Sequence, residues 1–326
     1  MITAYRMGEN GKVRPEKADL PTCGDGSVVW VDAFCPTDGE LAELDELMGF
    51  EVPNRHDMTE IELSSRLYKE GGALVMIANL LPKSEARVVP PRPAAFILWN
   101  SVLLTIRYTE FYSFERVALR IPHSADACTP VTVFCRLLEE AVADRADNIE
   151  SSMRYLELLT SQLFLSHADA PNGHSEPELD EALRKIGGMG EGVANIRESI
   201  TSLQRAANFA LTYLPPQWLG DQRIVLDSVK TDLNALSDEA AFFMNKLSFN
   251  LDATLGMINI EESKVIRFLS VVTLLLSPPT LIAGIYGMNF SLMPELNWKL
   301  GYVFALCLMG TTAITSLLYL KRKRWL

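Results

Sequence analysis

Histidine and cysteine are scarce in this chain, and neither is clustered. The five cysteines, Cys23, Cys35, Cys128, Cys135 and Cys307, form no Cys-x-x-Cys pair, and the four histidines fall on no zinc-ligand spacing. A disulfide framework and a zinc centre are therefore not expected, and the cysteines read as reduced, buried residues of a cytosolic compartment. His167 and His174 share a polar, loop-like segment without further ligands at suitable spacing. The glycine cluster Gly187-Gly188-Met189-Gly190-Glu191-Gly192 lacks the Lys-Ser/Thr of a phosphate loop and the preceding strand of a dinucleotide site. It reads as a helix interruption or a close-packing point. No nucleophile elbow or catalytic metal motif occurs in residues 1–263, so an enzyme is not expected. A charged-then-apolar leader is also missing at the start, and secretion is not expected.

Positive charge is in deficit: 30 Lys and Arg face 41 Asp and Glu, for a net −11. Residues 264–326 hold seven Lys/Arg and one Glu, +6, so residues 1–263 carry −17, the −11 of the whole less +6. Such an acidic body repels nucleic acid and suits divalent cations.

Formal charge is missing altogether from residues 268–290, 23 positions, and from 300–320, another 21. Crossing a hydrocarbon core takes roughly 20 helical residues, so both segments can span a lipid membrane. The nine residues between them, 291–299, force a hairpin. Its tip belongs at the membrane surface or in a pore, because lipid satisfies no amide. Lys264 and Arg267 precede the first span, and Lys321, Arg322, Lys323 and Arg324 follow the second. The positive-inside rule then places both termini in the cytoplasm, with Trp298 and Trp325 at opposite interfaces.

The remaining chain changes character near residue 125. Before it, β-rich runs at 28–31, 73–77 and 102–106 alternate with helix-like stretches such as 40–48, as in an α/β or α+β domain. After it come helical patterns at 130–165 and 176–214. From 221 to 289 nothing strongly breaks a helix before Pro278-Pro279, and 69 residues would reach about 100 Å. The organisation expected is an α/β domain over 1–125, a helical region over 126–263 with a stalk helix from about 221, and a hairpin over 264–326. Its spans cover about 268–289 and 300–320.

Two faces of the long helix differ. Leu226, Val229, Leu233, Leu236, Ala240, Phe243 and Leu247 follow an alternation of three and four, a structural packing seam. Further on, the same spacing selects Asp252, Gly256, Asn259, Ser263, Ile266, Ser270, Thr273, Ser277, Thr280, Gly284 and Gly287. Such a stripe of small and polar residues in a membrane helix means either close helix packing or a water-lined surface. Its continuation to the carboxylate of Asp252 favours a conduit. Two spans cannot enclose a path, so a conduit needs several copies around an axis. In that ring Ile266, with the adjacent Leu269, forms an apolar collar able to stop ions by dewetting. Pro278 and Pro279 remove two helical hydrogen bonds and either kink the helix or are tolerated there.

Tyr286-Gly287-Met288-Asn289 at the end of the first span, Met293-Pro294-Glu295-Leu296 beyond it and the basic end of the chain resemble the CorA magnesium transporters. Residues Asn54-Arg55 and 60–68 resemble the bacterial branch of that family. The resemblance implies a homopentameric funnel in the cytoplasmic membrane: an α/β cytosolic domain, a long helical stalk and two C-terminal transmembrane helices, the first lining the pore. It also implies that Gly287, Met288 and Asn289 form an outer mouth that receives a hydrated cation, with Glu295 raising the local cation concentration. Mg²⁺ is then substrate and regulatory ligand, with no other cofactor, and Co²⁺ and Ni²⁺ are candidate substrates. The regulatory carboxylates it implies are Asp252 and, across subunits, Glu60. Two alternatives stay open: a Zn²⁺ transporter of the same fold, and a cytosolic scaffold that the hairpin only tethers.

Overall fold

The structure, a computed structural model, describes residues 1–8, 13–17, 27–60, 65–84, 88–123, 128–169, 176–288 and 298–323; side chains of 164–169 and 176–178 lie outside the description. Seven strands, β1 (Ile2–Met7), β2 (Val13–Lys17), β3 (Val28–Phe34), β4 (Leu67–Glu70), β5 (Ala73–Leu80), β6 (Arg92–Trp99) and β7 (Val102–Arg107), form one sheet. Their order is β2-β1-β3-β7-β6-β5-β4. The β3–β7 pair is parallel and the other pairs are antiparallel.

Every residue of β5 is buried, because the sheet is covered on both faces. On one face Val31, Val75, Ile97 and Leu104 pack in one cluster with Leu44 and Met48 of α1 (Asp38–Met48). That helix starts at a capping box between Thr37 and Glu40 and ends at Gly49, whose φ of 75° suits a residue without Cβ. The other face is aromatic: Phe96 lies 6.0 Å from Phe114 on α2 (Tyr112–Arg120) and 5.6 Å from Phe134 on α3 (Pro130–Asp169).

The remaining helices are α4 (Glu176–Tyr213), the short α5 (Pro216–Leu219), α6 (Gln222–Tyr286) and α7 (Gly301–Arg322). Expected and observed helices agree in number and nearly in extent for α3, α4 and α6. The glycine cluster does not. α4 runs unbroken through it, and a Cβ at Gly187, Gly188 or Gly190 would meet nothing within 4 Å. It is not an interruption, and Gly187, Gly188 and Gly190 make no close contact; Gly188 and Gly192 line a cavity of about 260 Å³ beside Tyr155. Helical hydrogen bonds along α4 outweigh the roughly 1 kcal/mol cost per glycine. α6 likewise continues through Pro278 and Pro279.

The chain divides into two compact units, one of residues 1–165 with 182–251, the other of 166–181 with 252–326. In the first, the expected seam of α6 from Leu226 to Leu247 is buried throughout. Polar ties flank it: Gln204 Nε2 donates to Asn234 Oδ1 at 2.9 Å, and Lys246 Nζ to Glu157 Oε1 at 2.8 Å. The cysteines only partly fit a uniformly buried set: Cys128 and Cys135 are buried, but Cys35 and Cys307 are exposed. Cys35 lies just past β3 with φ of 46°, in a turn rather than in the core. Cys23 lies outside the described residues.

Candidate functional site

In the second unit, α6 and α7 are both long and apolar enough to cross a membrane, each with a mean hydropathy of 1.9 in its most apolar stretch. Along α6 the half-sheltered positions include Leu275, Pro279, Ile282 and Tyr286, while on α7 Gly301, Ala305 and Leu320 are buried. With the half-buried Met309, Thr312 and Ser316 between Ala305 and Leu320, both sets recur at three- and four-residue steps, which marks one protected face on each helix. The small and polar stripe lies elsewhere on α6. Asp252, Asn259, Ser263, Thr273, Ser277, Thr280, Gly284 and Gly287 are exposed, and Gly256 and Ser270 are half-buried. Thr273, Ser277, Thr280 and Gly284 line a groove of about 720 Å³ along the helix.

Four hydroxyls of this stripe are committed in one direction. Ser263 donates to the carbonyl of Asn259 at 2.7 Å, Ser270 to Ile266 at 2.8 Å, Thr273 to Leu269 at 2.8 Å and Thr280 to Leu276 at 2.7 Å. Each proton is spent on the preceding turn, so each oxygen presents lone pairs outward. Such a surface accepts hydrogen bonds from water and holds no fixed charge. Ile266 and Leu269 are 65% and 64% exposed, two large aliphatic side chains at the N-terminal start of the apolar stretch.

At the far end of α6, the Gly287 amide donates to the Ala283 carbonyl at 2.9 Å, and Met288, half of it exposed, bonds back to Ile285 at 3.2 Å. A Cβ on Gly287 would sit 3.1 Å from the Ala283 oxygen, tighter than side chains ordinarily tolerate. Asn289 and Glu295 lie outside the described residues. Trp298 packs near Phe304 at the start of α7, with ring centroids 5.8 Å apart.

Of the two expected regulatory carboxylates, Glu60 belongs to the first unit and Asp252 to the second. Glu60 ends a 3-10 turn at Asp57–Thr59. Asn54 Oδ1 accepts from the amides of His56 at 2.8 Å and Asp57 at 3.2 Å, and Asp57 Oδ2 accepts from the Asn54 amide at 3.0 Å. This fold of the chain gathers His56, Asp57 and Glu60, whose ligand atoms lie within 4.8 Å of one another. Two carboxylates suit Mg²⁺, and the imidazole adds affinity for Co²⁺ or Ni²⁺. His56 and Asp57 were not singled out from sequence. The available signal was the His-Asp-x-x-Glu spacing two residues after an Asn able to cap a turn.

Comparison with known proteins decides the family. The sequence matches the family described as CorA-like Mg²⁺ transporter protein over residues 25–322. This chain belongs to the CorA family. The magnesium transport protein CorA of Haemophilus influenzae (strain Rd) is 30% identical to it over 331 residues, all of both chains. That of Escherichia coli K12 is 29% identical over 330 residues, again all of both chains. The solved CorA magnesium transporter from Methanocaldococcus jannaschii matches with a TM-score of 0.78 and 20% identity, over 100% of this chain and 99% of that one. The CorA fold thus carries the expected N-terminal α/β domain, long helix and two C-terminal apolar helices. As a CorA member, the chain is a membrane transport protein with two transmembrane helices.

Proposed function

We propose that this chain forms a homopentameric channel that takes up hydrated Mg²⁺ across the cytoplasmic membrane, driven by the membrane potential. The observation that carries the reading is the uncovered face of α6: α6 and α7 shelter other faces, while the hydroxyl-bearing groove stays open. A single pair of spans cannot enclose water, so several copies turn that face toward a common axis, five in the ring that the family resemblance implies. Both termini are cytoplasmic, as the basic flanks dictate.

Mg²⁺ dehydrates reluctantly and keeps an octahedral shell of water. Outward lone pairs of Ser270, Thr273 and Thr280 accept hydrogen bonds from that shell without stripping it. Gly287, Met288 and Asn289 form the entrance, where amide and carbonyl oxygens receive the hydrated ion, and Glu295 draws cations to it. A potential of 100 mV supplies about 2.3 kcal/mol per charge, or roughly twice that for a divalent ion. Co²⁺ and Ni²⁺ pass by the same route, being hydrated ions of similar size.

Cytosolic Mg²⁺ closes the channel through Asp252 and Glu60, with His56 and Asp57 beside the latter, by neutralising carboxylates between neighbouring subunits. Ile266 and Leu269 form the gate. The reading is tested by Mg²⁺ uptake into liposomes under an inside-negative potential, with wild type and Asn289→Ala. Wild-type flux that disappears in the variant is expected; flux that survives undiminished removes the proposed mouth. Joint Asp252→Ala and Glu60→Ala substitution should relieve inhibition by Mg²⁺, and unchanged inhibition would reject the sensor.

A further inference from the structure

The first compact unit contains a cavity of about 580 Å³ between the end of β5, α4 and α6. Its chemistry differs from that of the surrounding body. Residues 1–263 carry −17, yet Arg66, Arg197 and Arg205 all line this cavity. The carboxylate among its described lining, Glu198, already accepts a hydrogen bond from Asn79 Nδ2 at 2.7 Å.

The arginines are placed as a set. Arg197 and Arg205 stand eight residues apart on α4, with Thr201 midway, so all three share one face. Neither guanidinium is held by a carboxylate among the described residues. Arg66 approaches from the strand side, its Nε donating to the Glu60 carbonyl at 2.9 Å, which anchors the side chain and leaves its two terminal nitrogens available. Three cations around one hollow repel one another unless an anion joins them. Leu67, Ile77 and Met244 supply an apolar part of the wall, and Asn79, Thr201 and Ser202 a neutral polar one.

We propose that this cavity binds a phosphorylated small molecule of nucleotide size, its phosphates on the arginines and its apolar part against Ile77 and Met244. The volume falls within the roughly 300–1,000 Å³ of small-molecule sites. Arginine is suited to the anion because its planar fork meets phosphate oxygens two at a time. Its described lining shares no residue with the proposed ion pathway, and the proposal goes beyond the transport reading.

The test is calorimetric titration of the purified full-length protein in detergent, at low salt with divalent ions chelated, using ATP, inorganic phosphate and adenosine. Saturable binding of ATP is expected, with phosphate weaker and adenosine weaker still. Arg197→Ala with Arg205→Ala should weaken ATP binding at least roughly tenfold, about 1.4 kcal/mol, while the oligomer keeps its elution volume. Because both side chains are exposed, the fold should survive. If it does not, the paired Arg→Lys substitutions serve instead and should still lower affinity, since an ammonium cannot bind in the bidentate manner. No saturable binding of ATP or phosphate, or equal affinity in the variants, overturns the proposal. So does dissociation of the oligomer in the alanine variant, which would assign the arginines to an acidic surface of a neighbouring copy. Binding is read without transport, so either result leaves the ion pathway to its own test.

Discussion

Arg145 donates from Nε to Ser199 Oγ at 3.1 Å, and Ser199 donates in turn to the main-chain oxygen of Asn79 at 2.7 Å. One buried cation on α3 thereby ties α4 to the end of β5. Its Nη1 donates to the Ala141 carbonyl at 2.7 Å and to Asp144 at 3.3 Å, while Nη2 is buried with no partner among the described residues. Burial pushes the Arg145 guanidinium down to about 10 and raises the neighbouring Asp144 carboxyl. The arginine therefore stays charged at neutral pH and depends on that carboxylate. Asp144→Ala should cost about 3–5 kcal/mol, as expected when one partner of a buried pair is removed. Urea unfolding followed by circular dichroism measures it.

The thiols should separate by environment. Burial pushes Cys135 up to about 12 and also raises Cys128, so at pH 7.5 both remain protonated and shielded. Exposed Cys35 should be alkylated by iodoacetamide in the native protein, and Cys128 and Cys135 only after unfolding. Mass spectrometry of the labelled peptides checks this order.

Ile266 is the bulky member of an otherwise small and polar stripe. If it blocks ions by excluding water, Ile266→Asn should admit water and raise Mg²⁺ flux at high internal Mg²⁺ by roughly tenfold, the effect of removing about 1.4 kcal/mol of barrier. Ile266→Val should leave the closed state tight. Liposome flux with internal Mg²⁺ varied measures both.

Gly287 closes α6 in a space where a methyl group would crowd the Ala283 oxygen. Gly287→Ala should therefore shift the chain that leads to Asn289 and lower flux by roughly tenfold. The bulk of the helix is untouched, so far-ultraviolet circular dichroism should not change.

Much of this architecture was legible in sequence because hydrophobic period dominates long elements. The seam from Leu226 to Leu247 and the uncharged spans follow directly from spacing, and the runs at 28–31, 73–77 and 102–106 sit inside β3, β5 and β7. Strand β6 escaped notice because Arg92-Pro93 opens it with residues that disfavour strands; Pro93 pairs with Asn79 at the strand end, where a missing donor is tolerated. The glycines of α4 misled for the opposite reason, since local preference gave way to the helix around them. His56 and Asp57 were hidden by a capped turn at Asn54 whose geometry only the folded chain displays. Arg197 and Arg205 look like ordinary surface arginines until β5 and α6 are placed beside them.

The central claim is that the hydroxyl face of α6 lines a water-filled path, and thiol accessibility tests it most directly. Thr280 lies on that face and lines its groove, whereas Leu274 is 38% exposed, lies outside the groove's described lining and stands about 120° away round the helix. Single cysteines would be introduced at each position in a protein whose native cysteines are replaced by serine, and treated with a charged, water-soluble thiosulfonate during Mg²⁺ flux into liposomes. The account predicts that Thr280→Cys is labelled and its flux blocked, and that Leu274→Cys is neither. Block at Leu274→Cys with Thr280→Cys unaffected, or no block at either, would contradict it.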